Sequence, residues 1–309
     1  MPKLFISGLV NVETTVKVRG FPINYYPIDY PFFGVQSGVS GVGLNLATAA
    51  KTLGDEVRLQ SMTGRDFEGE FIRQTLIERD IPTDGVLPCL RATPTSVVLY
   101  DETGRRQIYC DLKDIQDTPY ALNAEAIEDA DLIIACNINY NRPLLQAARA
   151  AGKIIATDVH VLTDIHDGYN RDFMQAADVL FLSDEGIGED YQGFLRALYD
   201  TYRNGVIVLG RGSKGAALVT DGQILQLPAV QVGPIVNTVG AGDSLFISFL
   251  HFYTLGMTAL EALVRAELFA SAKIRVSGGA AGFITETEIQ QLYEIYGAAI
   301  KNQIQTFPL

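Results

Sequence analysis

Asn237-Thr238-Val239-Gly240-Ala241-Gly242-Asp243-Ser244-Leu245-Phe246 separates two apolar segments of different character. Before it, Leu227 to Val236 is a strand-like run interrupted by Pro228 and Pro234. After it, Leu245 to Thr254 has helical spacing and no breaker. The stretch between them reads as a glycine turn opening a helix. Gly240 and Gly242 permit backbone angles that a Cβ obstructs. The first amides of a helix have no intrahelical partner, and the helix dipole adds positive potential there. Together they make an anion site suited to a phosphate oxygen or a developing negative charge. Asp243 sits on the rim of that site. A carboxylate beside an anion cradle makes electrostatic sense if it takes a proton from an attacking hydroxyl, as in general-base phosphoryl transfer. An Asp in a first helical turn also simply stabilises the helix, so Gly-x-Gly-Asp alone leaves both readings open.

The rest of the chain bounds the answer. Its 309 residues suffice for one large α/β domain or two small ones, and 48% hydrophobic residues supply a sizeable core. A net charge of −12 argues against nucleic acid or an acidic membrane as partner, though not against a small phosphorylated ligand, which feels the local field. Cys89, Cys110 and Cys136 are an odd, widely spaced set. They suit a reducing cytoplasm better than a disulfide framework, and no metal-type pair occurs. Met1 to Leu9 reads as a first strand rather than a signal peptide. No run reaches the roughly 18 apolar residues of a membrane helix.

Early segments are rich in hairpin signals. Thr14 to Val18 is strand-like, and Thr95 to Tyr100 and Gln107 to Cys110 flank the turn Asp101-Glu102-Thr103-Gly104. Between them Gly20 to Phe33, rich in Pro, Tyr and Phe, reads as a packed loop or a flap. From Ala130 the rhythm becomes strand–helix–strand: Leu132 to Cys136, Pro143 to Ala151, Lys153 to Ala156, Ala176 to Leu182, Phe194 to Arg203, Val206 to Leu209. Short apolar strands alternating with helices imply a parallel sheet covered on both faces. Thr258 with Glu261, and Thr285 with Glu288, have capping-box spacing for two last helices. No linker separates two domains, so 1–309 reads as a single α/β domain with a small lid formed from about 12–38 and 91–112.

The full string Thr238 to Phe246 closely resembles the C-terminal signature of the ribokinase-type (PfkB-type) carbohydrate kinases. The resemblance implies a ribokinase-like α/β fold, a central, mostly parallel sheet with helices on both faces plus a small β lid. By the same resemblance Asp243 is the catalytic base, and Gly240, Ala241 and Gly242 form the anion hole. Gly41-x-Gly43-x-Asn45, followed by Leu53-Gly54, resembles the family's N-terminal signature, with Ser40 where the first Gly often lies. Asn11 and Glu13 resemble its Asn-x-Asp near the end of the first strand, with Glu for Asp. Asp158-Val159-His160 resembles an Asp-x-Asn after a central strand. These residues are the candidate contacts to substrate hydroxyls.

Gly210-Arg211-Gly212-Ser213-Lys214-Gly215 fits G-x-G-x-x-G after a strand, but Ala216 to Val219 continues as a strand. The dinucleotide reading needs a helix there and fails. The segment better resembles the family's turn beside ATP, making Gly210, Gly212 and Gly215 nucleotide contacts, with Arg211 or Lys214 able to reach a phosphate. Ser183 and Gly186 stand where the family often has Asn-x-x-Glu near magnesium. Ser183 is retained as a nucleotide contact, and the metal ligands stay unassigned, with Asp184 or Glu185 as candidates. Asn237, also taken as nucleotide-binding, stands where many members have Asp, in a loop that holds a monovalent cation in some of them. Glu267 replaces a common Asn near the adenine pocket. The implied activity is ATP- and Mg2+-dependent phosphorylation of a hydroxyl, a hydroxymethyl by preference, on a small sugar, with K+ dependence open. A nucleoside acceptor, including a pseudouridine-like one, is the alternative, because Tyr25, Tyr26 and Tyr30 can stack on a base. A non-catalytic sugar-binding or regulatory member of the fold is the second alternative. A homodimer through the lid is open as well.

Overall fold

Strands buried on both faces must be apolar at every position, not at alternate ones. Leu132–Ala135, Val179–Ser183 and Val206–Gly210 have that composition, and they lie in the middle of a ten-stranded sheet, the last two side by side and the first one strand away. The computed structural model describes all residues, 1–309. In chain order the first elements are β1 (Lys3–Ser7), β2 (Asn11–Lys17), β3 (Val35–Ser40), α1 (Val42–Leu53), β4 (Glu56–Gly64) and α2 (Phe67–Glu78). Then come β5 (Val86–Leu90), β6 (Thr95–Tyr100), β7 (Arg106–Asp111), α3 (Ala124–Asp129), β8 (Leu132–Ala135) and α4 (Arg142–Ala150). Next are β9 (Ile154–Val161), α5 (Arg171–Ala176), β10 (Val179–Ser183), α6 (Tyr191–Tyr202), β11 (Val206–Gly210), β12 (Ala216–Thr220) and β13 (Gln223–Leu227). The chain finishes with α7 (Ala241–Thr254), α8 (Ala259–Lys273), α9 (Glu286–Lys301) and β14 (Gln305–Pro308).

In the large sheet β5, β4, β1, β8, β9, β10 and β11 run parallel in that spatial order. β12, β13 and β14 continue it antiparallel. The period of two along each strand divides the core between the faces. Leu4 and Ile6 join α1, α7 and α8 on one face, whereas Phe5 joins α4, α5 and α6 on the other. Val179 and Phe181 against Leu180 and Leu182 repeat the division on β10.

A separate four-stranded sheet has the order β3-β2-β6-β7, with β2 and β6 parallel and the outer pairs antiparallel. Its strands fall in or beside the segments read as a lid. The aromatic connection from β2 to β3 is not a packed loop. Tyr25, Phe32 and Phe33 are 88%, 86% and 97% exposed.

Some readings change. The run Leu227 to Val236 is a strand only up to Leu227, and 228–236 is irregular. Pro228 and Pro234 carry no N–H for a ladder, which explains the break. The helix after it begins at Ala241, four residues before Leu245. Thr285 and Glu288 form the full reciprocal capping box. Thr258 accepts from the Glu261 N–H, but the Glu261 carboxylate turns to Arg265, Tyr293 and Lys301 instead. No helix is long and apolar enough to cross a membrane.

α7 is pinned to the sheet by aromatic rings. Phe181 on β10 meets Phe246 at 4.8 Å and Phe249 edge-on at 5.2 Å, and Phe249 stacks on Tyr253 at 5.5 Å. Phe249 is fully buried, so Phe249→Ala should cost about 3–5 kcal/mol of stability, read from urea unfolding. A loss under about 1 kcal/mol, the level of an ordinary surface change, would contradict this packing.

Candidate active site

Two helix N-termini meet at one carboxylate. α1 enters from Gly41 at φ 108°, and α7 from Gly240 in the left-handed region at φ 78°. The start of α1 is pressed onto the connection between β1 and β2. A Cβ on Gly43 would stand 2.8 Å from the Gly8 carbonyl oxygen, and the Gly43 N–H donates to Leu9 O at 2.9 Å. This approach carries Asn45, in the first turn of α1, to Asp243, in the first turn of α7. Asn45 Nδ2 donates to Asp243 Oδ2 at 2.7 Å. An ionised carboxylate accepts only, so the nitrogen must face it. Asn45 Oδ1 is then left buried without a protein partner.

The turn before α7 is just as tightly packed. A Cβ on Gly240 would lie 2.7 Å from Gly279 O, and Gly279 in turn lies against the Asn45 amide. The Ala241 N–H, read as part of the anion hole, donates to Thr238 O at 3.2 Å. The Gly240, Gly242 and Asp243 N–H groups have no protein acceptor. Burial pushes the Asp243 carboxyl above the usual carboxylate range, against the Asn45 hydrogen bond that lowers it. His160, Asp158 and Lys273 act on it as more distant charges.

Asp158, on β9, lies on the same side of the sheet end. Its Oδ1 accepts from the His160 N–H at 2.8 Å, and His160 itself holds φ 59°. A non-glycine residue in that region stores about 1–3 kcal/mol of strain. Cys136, at the end of β8, is buried beside Gly8. Burial raises its thiol, and the Asp243 and Asp158 carboxylates add to the effect. Asn11 and Glu13 are joined through a residue not singled out in the sequence. Asn11 Nδ2 donates to Ser96 Oγ at 2.9 Å, and Ser96 Oγ donates to Glu13 Oε2 at 3.3 Å. Asn11 Oδ1 bounds the space at Gly41, 3.1 Å from where a Cβ would stand. Gly41, Gly43, Asn45, Asp243, Asp158, Asn11 and Glu13 thus form one neighbourhood.

Ser183, Gly210, Gly212 and Gly215 form a second. Ser183 and Gly210 pair at the ends of β10 and β11, and Gly210 faces Leu245 of α7. Gly212 opens a short 3-10 turn and Gly215 leads into β12, so no helix follows G-x-G-x-x-G. Arg211 does not reach outward. Its guanidinium stacks on Tyr191 at 3.7 Å, stands 3.7 Å from Asp184 Oδ2 and donates to Gln226. Asn237 is spent on the backbone: its Oδ1 accepts from the Val239 N–H at 2.7 Å. No group of three or more His, Cys, Asp or Glu is placed to hold a metal ion. Asp184 is engaged with Arg211 and Glu185 stands exposed. These residues do not build a protein cage for magnesium, an ion that commonly takes its ligands from water and nucleotide phosphates.

The pfkB family carbohydrate kinase model matches residues 1–286. The chain belongs to this family. A 1-phosphofructokinase of Haloferax volcanii is 28% identical over 255 residues, covering 77% of this chain and 80% of that one. The fold is that of a microbiome-derived acarbose kinase, TM-score 0.85 at 24% identity over 95% of this chain and 99% of that one. It is also that of the Arabidopsis thaliana ribokinase solved with ribose and ATP, TM-score 0.79 at 19% identity over 94% and 98%. The protein is therefore a sugar or nucleoside kinase of the PfkB/ribokinase family. Kinases of this family use ATP.

Two consequences of the kinase's geometry are measurable. Gly240→Ala places a Cβ against Gly279 in a left-handed conformation, so about 1–3 kcal/mol of stability should be lost on urea unfolding. A variant as stable as the parent would show that the turn is not held as described. Glu267 is buried in α8, and burial pushes its carboxyl from 4.5 up to about 8. Between those values the unfolded chain ionises this group while the folded chain keeps it protonated, so stability falls as pH rises through the window. Unfolding of Glu267→Gln should therefore show a shallower loss of stability across that range, and equal slopes would refute the assignment.

Proposed function

We propose that the kinase transfers the γ-phosphoryl group of ATP to a hydroxyl, of hydroxymethyl type, on a small free sugar. The observation that carries this reading is the Asn45–Asp243 hydrogen bond, which joins the two glycine signatures across 198 residues of chain. Asp243 is the general base. Burial raises its proton affinity, and a more basic carboxylate takes a proton from a hydroxyl more readily. The acceptor oxygen loses its proton to Asp243 and attacks the γ-phosphorus, and the bond to the bridging oxygen breaks to leave ADP. The free N–H groups of Gly240, Gly242 and Asp243 point positive potential at the equatorial oxygens. Asn45 holds the carboxylate oriented and, through Oδ1, offers an acceptor to a substrate hydroxyl. Asp158, Asn11 and Glu13 supply further hydroxyl contacts, and Ser183, Gly210, Gly212 and Gly215 line the nucleotide side. Magnesium, brought with the nucleotide, would neutralise phosphate charge.

The four-stranded sheet acts as a lid that excludes water, the competing acceptor. A phosphosugar would need a cationic pocket. In the basic pair Arg105-Arg106, Arg105 is drawn off such a role: its Nη1 donates to Phe21 O at 3.3 Å and its guanidinium lies over the Phe21 ring. A nucleoside is the second reading, favoured by the exposed aromatic loop: Tyr25 stands free and Tyr26 lies under the Arg19 guanidinium at 4.4 Å.

ADP release from MgATP against free sugars, nucleosides and phosphosugars decides the acceptor. Stimulation by a free sugar is the expected result, and stimulation by nucleosides alone would replace the first reading with the second. With that acceptor, Asp243→Asn should lower kcat by about 10²–10⁴-fold, the usual share of a general base, while ligand-induced thermal stabilisation survives. Substantial turnover by this variant would refute the base assignment.

A further inference from the structure

Lys273 ends α8 and is 0% exposed. An ammonium taken out of water costs several kcal/mol unless it is paired. Lys273 has no carboxylate within ion-pair distance, and Asp243 acts on it only from further away. Its Nζ donates to one group, the Val239 carbonyl. That carbonyl belongs to the loop that delivers Gly240 and the anion-hole turn.

The same loop is fixed from every other side. The Val236 and Asn237 N–H groups donate to Ile274 O at 2.9 and 3.0 Å. The Val239 N–H donates to Asn237 Oδ1, and Thr238 O accepts from Ala241. With its N–H held by Asn237 and its carbonyl by Lys273, Val239 has both peptide planes set. The ammonium also sits at the C-terminal end of α8, where the helix dipole favours a cation.

The family resemblance associates this loop with a free monovalent cation in some members. The residues here do not fit one. The Val239 oxygen already carries an ammonium, and Asn237 is uncharged with its side-chain oxygen engaged. We infer that Lys273 is a positioning residue that supplies this loop's positive charge from within the chain, so that the kinase needs no alkali cation. Burial lowers the Lys273 ammonium to about 8, so it is charged at neutral pH. The ammonium is an electrostatic support beneath the turn, not a contact to substrate.

The test compares the parent, Lys273→Ala and Lys273→Met in choline, sodium, potassium and ammonium chloride at equal ionic strength. Melting temperature without nucleotide is one readout and steady-state kinetics the other. The rate arm rests on the phosphoryl-transfer reading above, whereas the melting arm does not. The parent should melt and turn over identically in choline and potassium. Lys273→Ala should lose up to about 100-fold in kcat with KM for the acceptor little changed, as for a misplaced reacting group. Potassium or ammonium should partly restore its kcat and raise its melting temperature, because the vacated space admits a cation. Lys273→Met fills that space and should respond to neither. Potassium stimulation of the parent would overturn the inference, as would unimpaired kcat in Lys273→Met. If neither variant folds, the parent's indifference to potassium or its stimulation decides alone. If no acceptor is found, the melting response of Lys273→Ala decides without the rate.

Discussion

Two helix N-termini can share one carboxylate only where backbone meets backbone without a Cβ between. Gly43 against Gly8, and Gly240 against Gly279, are those contacts. They set α1 and α7 close enough for Asn45 to reach Asp243 at 2.7 Å. The rest of the molecule serves this approach. Parallel strands end on one side and present their connections there, and the aromatic lock of Phe181 on Phe246 and Phe249 holds α7 at a fixed height above the sheet.

The glycine turn before α7 gathers unpaired amides, and so positive potential, inside a chain of net charge −12. The contradiction is resolved locally. Partial positive charge comes from unpaired backbone amides and helix dipoles, and one full charge comes from buried Lys273. Net charge governs what the whole surface attracts, and a desolvated cluster of dipoles governs what one pocket binds. The charge state of Asp243 is contested by the same surroundings. Burial raises its proton affinity, and Asn45 and Lys273 hold it in check.

Much of this was legible residue by residue. The alternation of apolar strands and helices from Leu132 onward announces the parallel sheet, and the two glycine signatures announce their helices. Other features were not legible because they depend on contacts across the chain. Leu227 to Val236 has strand composition, but its prolines leave no ladder, and the segment instead drapes along α8 through bonds to Ile274 and Ser271. Arg211 looked free to meet a phosphate and is instead enclosed by Tyr191, Asp184 and Gln226. Ser96 and Gly279 carry no motif, and their roles exist only through Asn11, Glu13, Gly240 and Asn45. The signal for Lys273 was present as a lone charge in the apolar run from Leu268 to Ile274, but a lysine ending a helix usually reaches solvent.

The fold class and the family were readable from the chain alone, as were the residues proposed here for the chemistry. Periodicity and glycine placement are local properties, and a string such as Gly240-Ala241-Gly242-Asp243 has few backbone conformations open to it. Which polar groups remain free to act was set by packing across the chain. The Ala241 amide, the Asn237 side chain and the Arg211 guanidinium are consumed by partners far away or across a turn. The Gly242 and Asp243 amides and Asn45 Oδ1 are left without any. Hydrogen-bonding capacity is spent in space, between groups that packing brings together, and a linear sequence does not record where it goes.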